Sequence, residues 1–244
     1  MGQKRLLLAT LLVTLLGSIT LAQTGQKVAL DAIRRGNQKY AKAQYELAIE
    51  ECAGDTYAQS LYNIGVCYYE LWSTEEATAY YRRAVLARKG RYPMALYALG
   101  VALIDSKRPL EAKEAFRQSI TAADGKHATA HFMLGLLLIG EGGDEAAAAS
   151  FKEAIALSKD RFPGSHNNLG VALARMGRLP EAKREFEIAL RQADGELDEA
   201  ADNLKLCRSL LALPAKAQVA SLKTVETLTG LGNKLTERTN VQGH

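Results

Sequence analysis

Four glycines, Gly65, Gly100, Gly135 and Gly170, stand 35 residues apart, and several other columns keep step with them. A fixed period of this length marks a chain built from one small unit stacked on copies of itself. Each glycine follows a large aliphatic residue (Ile64, Leu99, Leu134, Leu169), and three residues after it comes Tyr68, Leu103, Leu138 or Leu173. Twelve residues after it lies an alanine: Ala77, Ala112, Ala147 or Ala182. Four further on are the aromatics Tyr81, Phe116, Phe151 and Phe186, and three beyond those Ala84, Ser119, Ala154 and Ala189.

These spacings predict helices packed on helices. Apolar residues at i, i+3, i+4 and i+7 give a helix one apolar stripe, as in Ala182, Phe186 and Ala189. A glycine inside a helix costs about 1 kcal/mol relative to alanine, so its recurrence implies that the missing side chain lets another helix come close. The recurring alanines serve the same contact from the second helix. Each repeat is therefore read as a helix pair. Within the pairs, Ser73 with Glu76 reads as a capping box, Gly142-Gly143-Asp144 as a turn and cap, and Pro109 and Pro180 suit a first helical turn. Between pairs, breaks are expected at Lys89-Gly90, Asp124-Gly125, Phe162-Pro163-Gly164 and Asp194-Gly195.

Composition agrees with an all-α protein. No stretch alternates Val, Ile, Thr and Tyr between turn signals as a strand would, and an Ala-heavy, Leu-rich chain with five Pro favours helix. With 48% apolar and 24% charged residues the chain has an ordinary globular balance. Its 31 Lys+Arg against 27 Asp+Glu leave only +4, far from the clustered basic excess that a phosphate backbone demands, so nucleic acid is excluded as a partner.

The pattern Leu61-x2-Ile64-Gly65-x2-Tyr68 followed by Ala77-x3-Tyr81, and its three further copies, resembles the tetratricopeptide repeat family, whose signature is W-x2-L-G-x2-Y, then A-x3-F, then P. Leu61, Leu96, His131 and His166 stand in the family's tryptophan column, the terminal proline is displaced, and the period is one residue longer than the commonest. On this reading residues 23–57 are a degenerate first repeat. Four repeats follow at 58–92, 93–127, 128–162 and 163–196. Residues 197–212 form a capping helix, with Ala201, Leu204 and Leu211 on its apolar side.

The resemblance implies an α-solenoid, a right-handed superhelix whose concave groove is lined by the first helix of each pair. It assigns to that groove Tyr62, Val66 and Tyr69, then Tyr97, Val101 and Ile104, then Phe132, Leu136 and Ile139, then Asn167, Val171 and Arg175. This set is mostly apolar. Family members that clamp a terminal carboxylate carry Lys and Asn there instead, and apart from Asn63, Asn167 and Asn168 that basic set is missing. The expected ligand is an apolar peptide or helix of another protein.

At the N-terminus Lys4 and Arg5 precede an apolar run from Leu6 to Leu16, followed by Gly17, Ser18, Thr20, Leu21 and Ala22. That layout is a signal peptide over 1–22 with cleavage after Ala22, and the run is too short for the ~20 residues that span a bilayer. Export to a periplasmic or extracellular space is the expectation, with no integral membrane span in the mature chain. Cys52, Cys67 and Cys207 are odd in number and read as small buried hydrophobes. In the tail, 213–244, Val219, Leu222, Val225, Leu228, Leu231 and Leu235 recur every three or four residues. Thr224, Thr227, Thr229, Gly230 and Gly232 make that stripe a marginal helix without a surface to fold on, so the tail is either flexible or a helix docked on the array or on another protein.

No catalytic constellation is present: no phosphate-cradling loop, no His-Glu-x-x-His and no Gly-x-Ser-x-Gly. His127 and His131 lie one helical turn apart and could hold a metal if a third ligand converged. Because His131 and His166 occupy the tryptophan column, packing is the expected role, and neither metal nor cofactor is expected. Two function classes remain. The first is a non-enzymatic exported scaffold or adaptor, and the second is a self-assembling structural subunit of a cell-envelope complex.

Overall fold

A computed structural model describes residues 54–212, together with the single position Ala43. The expected signal peptide, all but the last few residues of the degenerate first repeat, Cys52 and the tail lie outside these residues. Among the described residues there are nine α-helices and no strand: α1 (Gly54–Glu70), α2 (Thr74–Ala87), α3 (Pro93–Asp105), α4 (Pro109–Ala122), α5 (Ala128–Gly140), α6 (Asp144–Leu157), α7 (Pro163–Arg175), α8 (Leu179–Gln192) and α9 (Asp198–Leu211). The chain divides into two compact units, one up to Gly125 and one from Lys126. In the first, α1 packs on α2 and α3 on α4, with α2 against α3. In the second, α5 packs on α6, α7 on α8, α6 against α7 and α8 against α9. The fold is an all-α helical-repeat solenoid.

The glycine column has a definite tenant. A Cβ on Gly65 would lie 2.6 Å from the Tyr81 ring, and one on Gly100, Gly135 or Gly170 would lie 2.6 Å from the ring of Phe116, Phe151 or Phe186. Within every pair the second helix drops its aromatic edge into the gap the glycine leaves, and the alanine four residues earlier keeps the backbones close. Phe116, Phe151 and Phe186 are fully buried, as are Ala77, Ala112, Ala147 and Ala182. Ser119 stands where the other repeats have alanine, and its hydroxyl donates to the Pro93 carbonyl at 2.8 Å, so the polar substitution is satisfied inside the core.

The first helix of each pair ends on a tight reversal that explains the column three residues after the glycine. The carbonyls of Tyr68, Leu103, Leu138 and Leu173 accept from the N–H groups of Ser73, Arg108, Gly143 and Arg178 at 2.8–2.9 Å, the closing bond of a Schellman motif. That motif needs a left-handed residue, supplied by Gly142 and Gly177 but also by Trp72 (φ 63°) and Lys107 (φ 58°). A side chain there crowds its own carbonyl by about 1 kcal/mol. Lys107→Gly is accordingly expected to raise the unfolding free energy by about 1 kcal/mol and Lys107→Ala to leave it near wild type, read as shifts of the urea midpoint at constant slope. A fall with glycine would show that the Lys107 side chain outweighs its backbone strain.

Three local expectations need correction. Ser73 does stand at the start of α2, but it makes no side-chain capping hydrogen bond, so the Ser73–Glu76 box is not formed. The break expected at Phe162-Pro163-Gly164 falls earlier, at Lys159 (φ 54°) and Asp160 (φ 60°), in register with the Lys89-Gly90, Asp124-Gly125 and Asp194-Gly195 turns. Without a glycine there the turn is invisible to composition, and Pro163 already belongs to α7. On α9 the buried face carries Ala200, Asn203, Leu204, Cys207 and Leu210, whereas Ala201 and Leu211 are exposed. The stripe is rotated because Leu197 and Ala200 seat against Ala189 of α8.

Candidate functional site

In the first unit, Tyr62 and Val66 on α1 and Val101 and Ile104 on α3 are half-buried, and Val66 and Val101 occupy the same position, one residue after Gly65 and Gly100. Tyr62 leans on Tyr81 (ring centroids 5.8 Å) and Tyr92 (5.5 Å), which fixes its half-buried ring. The Tyr69 hydroxyl donates to the Asp105 carboxylate, joining the end of α1 to the end of α3. Burial pushes the Tyr81 hydroxyl well above the usual phenol range and that of Tyr62 upward as well, so both remain neutral. The remaining candidates here are not open to a ligand. Tyr69 is 5% and Tyr97 7% exposed, and Tyr97 is tilted onto Phe116 at 5.8 Å.

In the second unit the expected strip is mostly interior. Phe132 has no exposed surface, because it stacks on Phe162 at 4.8 Å and tilts against Phe151 at 5.9 Å. Ile139 is 3% exposed, Val171 2% and Asn167 fully buried. Leu136 is half-buried. Asn167 accepts from the Nδ2 of Asn203 at 2.9 Å and donates to the Oδ1 of Asn168 at 3.0 Å, which satisfies buried amides that would otherwise be costly. Arg175 is exposed but out of register, since the residue matching Tyr69, Ile104 and Ile139 is Ala174. Its guanidinium pairs with Asp144 at 3.0 Å and donates to the Ile139 carbonyl at 3.1 Å, bracing α7 against the α5–α6 turn.

Of the twelve residues assigned to a groove, then, Tyr69, Tyr97, Phe132, Ile139, Asn167 and Val171 are packing residues. The resemblance assigns them to one side of each first helix but does not report what neighbouring turns put over them. Phe162, which stacks on Phe132, and Tyr92, which packs on Tyr62, belong to a column the sequence reading missed, 27 positions after each glycine: Tyr92, His127, Phe162 and Leu197. Each stands at the N-cap of a first helix, and all but His127 are buried. The 35-residue period was the signal that could have found it.

A second missed device starts the second helices of two pairs. Arg108 clamps Glu111 at 2.6 and 2.7 Å, and Arg178 clamps Glu181 at 2.7 and 2.6 Å, each across the first turn. The guanidiniums hold both carboxyls below the usual carboxylate range. A depressed carboxyl stabilises the fold above its unfolded value, and that contribution disappears as pH falls through the folded one.

His166 is 3% exposed, with Nδ1 2.7 Å from Glu185 and Nε2 2.9 Å from Asp160, so the tryptophan-column position holds a packed and bonded ring. His131 is half-buried, and burial, then the His131 charge, hold the His127 imidazole below its ordinary value. Cys67 and Cys207 are fully buried. The Cys207 thiol donates to the Leu179 carbonyl at 3.3 Å, and burial pushes its pKa up. Among the described residues, no helix is long and apolar enough to cross a membrane.

Residues 73–125 and 97–166 match a family model for the tetratricopeptide repeat. No curated protein matches the chain in sequence. Solved structures with the same fold include PilF of Pseudomonas aeruginosa, 17% identical, with TM-score 0.67 over 80% of this chain and 86% of that one. MamA of Desulfovibrio magneticus RS-1, residues 41 to the end, is 20% identical, with TM-score 0.61 over 72% and 96%. PilW, described as a widely conserved type IV pilus biogenesis factor, is 18% identical, with TM-score 0.62 over 78% and 86%. The four-fold spacing, the glycine–aromatic contact in every pair and these matches together make the chain a tetratricopeptide-repeat protein, whose fold serves as a scaffold for protein–protein interaction.

Proposed function

We propose that this protein is an exported, non-enzymatic adaptor that holds an apolar peptide or helix of a partner protein against the face formed by Tyr62, Val66, Val101 and Ile104. The observation that carries the reading is their half-burial on α1 and α3, with Val66 and Val101 at the same position of successive repeats and the Tyr69–Asp105 bond joining the two helix ends. Apolar side chains fixed by their neighbours but left partly open bind an apolar segment with little ordering cost. Export rests on Lys4, Arg5, the apolar run to Leu16 and the small residues before Gln23.

A crosslinking pull-down from envelope extract, comparing wild type with Val66→Asp/Val101→Asp, tests the face. Loss of a heterologous band in the variant, at an unchanged melting temperature, is the expected result. Retention of that band removes the proposed face, and recovery of the protein alone moves the assignment to a self-assembling subunit. Tyr97 and Phe132 are unsuitable probes, because their truncation damages the fold. For export, the N-terminus of the mature protein is expected at Gln23, and recovery of a chain beginning at Met1 would end that part of the reading.

A further inference from the structure

Among the described residues of the first unit, charge is sorted by helix. Helices α1 and α3 hold no Lys, Arg or His, and their acids are Asp55, Glu70 and Asp105. Every base of the unit, from Arg82 to Arg117, lies on α2, on α4 or in the connecting turns. Glu70 and Asp105 are the last residues of their helices, and each stands one turn beyond a residue of the apolar face: Glu70 after Val66, Asp105 after Val101. Residues four apart share one side of a helix, so the apolar strip runs into two carboxylates at one end. Glu70 is half-buried and Asp105 exposed. Helices α1 and α3 touch, and the Tyr69 hydroxyl, by donating to the Asp105 carboxylate, holds that group beside the end of α1.

An acid in the last turn opposes the helix dipole, whose C-terminal end is already negative. The same repeat position in the second unit holds Gly140 and Arg175, so the repeat does not itself require an acid there. In the turn after α3, Arg108 is held by Glu111 at 2.6 and 2.7 Å and Lys107 is exposed, and the turn after α1 carries no base. This end of the face therefore keeps an acidic excess. Trp72, 63% exposed, follows Glu70 by two residues, and its N–H donates to the Tyr69 carbonyl at 3.0 Å. It adds to the same end the aromatic side chain that attracts cations most strongly. We infer that the segment taken up by the apolar face proposed above, on which this inference rests, carries Lys or Arg at the end that lies over Glu70 and Asp105. From Tyr62 to Glu70 the strip rises about 12 Å along α1, so the base follows an apolar run of about four extended residues or two helical turns. Complementary charge at one end alone fixes the direction in which the segment lies.

Selection of a random dodecapeptide phage library on the immobilised full chain tests this. Enriched sequences are expected to place Lys or Arg beside a run of apolar residues. A synthetic peptide of the most enriched sequence is expected to bind wild type about fivefold or more tightly than Glu70→Gln/Asp105→Asn, by fluorescence anisotropy at low salt and at an unchanged melting temperature. Asn keeps an acceptor for the Tyr69 hydroxyl, so the variant removes charge and leaves that bond. Glu70→Gln alone, which does not touch the bond, is expected to change affinity in the same direction. Enrichment of apolar sequences without a base, or a basic peptide bound equally by the charge-neutral variant, overturns the inference and leaves the apolar face standing. An enriched peptide whose binding survives Val66→Asp/Val101→Asp overturns the face as well. No enrichment over bare support also overturns both, and binding of labelled full chain in its place assigns the face to a second copy.

Discussion

Gly135→Ala is expected to lower the unfolding free energy by about 2 kcal/mol, although alanine is the better helix former by about 1 kcal/mol. The added methyl group would stand 2.6 Å from the Phe151 ring, well inside contact distance. That ring cannot retreat: it is fully buried and tilted against Phe132 at 5.9 Å. The overlap must move the α5–α6 backbones apart or force the ring off its rotamer, and overpacking of this kind costs about 1–3 kcal/mol. Urea denaturation of the purified variant measures it. Combining the change with Phe151→Leu, which removes the ring edge, is expected to cost less than the two single changes summed, by about 1 kcal/mol or more. A variant as stable as wild type would show that the pair tolerates separation and that the glycine column answers to something other than the ring.

Phe132→Ala is expected to destabilise the second unit by about 3–5 kcal/mol, the usual range for emptying a buried phenylalanine site. The ring has no exposed surface and lies between Phe151 of its own pair and Phe162 of the next, so its loss opens a cavity between two repeats. Phe132→Leu fills most of that volume and is expected to recover more than half of the loss. The measurement separates two roles that the sequence alone cannot. A ligand-facing phenylalanine would tolerate alanine with little change in melting temperature, and that result would restore Phe132 to an open face. Because both changes act on contacts within a pair or between adjacent pairs, the unfolding signal should come first from α5–α7.

How far the sequence carried the site depends on the column. Val66, Val101 and Leu136 follow the glycine by one residue and are half-buried in the structure. Tyr97 and Phe132 are assigned to the same groove, yet both are buried by aromatics one repeat or one helix away. Arg175 shows a different failure. Its charge and its place near the helix end suggest a groove role, but it stands one residue out of register, and the structure gives it Asp144 and the Ile139 carbonyl as partners.

The sequence by itself determined the unit, the helix pairing and the contact inside each pair. Those rest on short-range geometry: a helix turns by a fixed angle per residue, so glycine, alanine and aromatic at fixed offsets must meet within one hairpin. The reversals were written locally where a glycine stands, but not at Trp72, Lys107, Lys159 and Asp160, where ordinary residues adopt the left-handed conformation without the glycine that would announce it. Tertiary structure alone decided which residues of the outward face remain open. Exposure is a property of what neighbouring segments place over a side chain, and no periodicity within one helix records that. Val101 and Val171 hold the same position in their repeats, yet one is half-open and the other sealed.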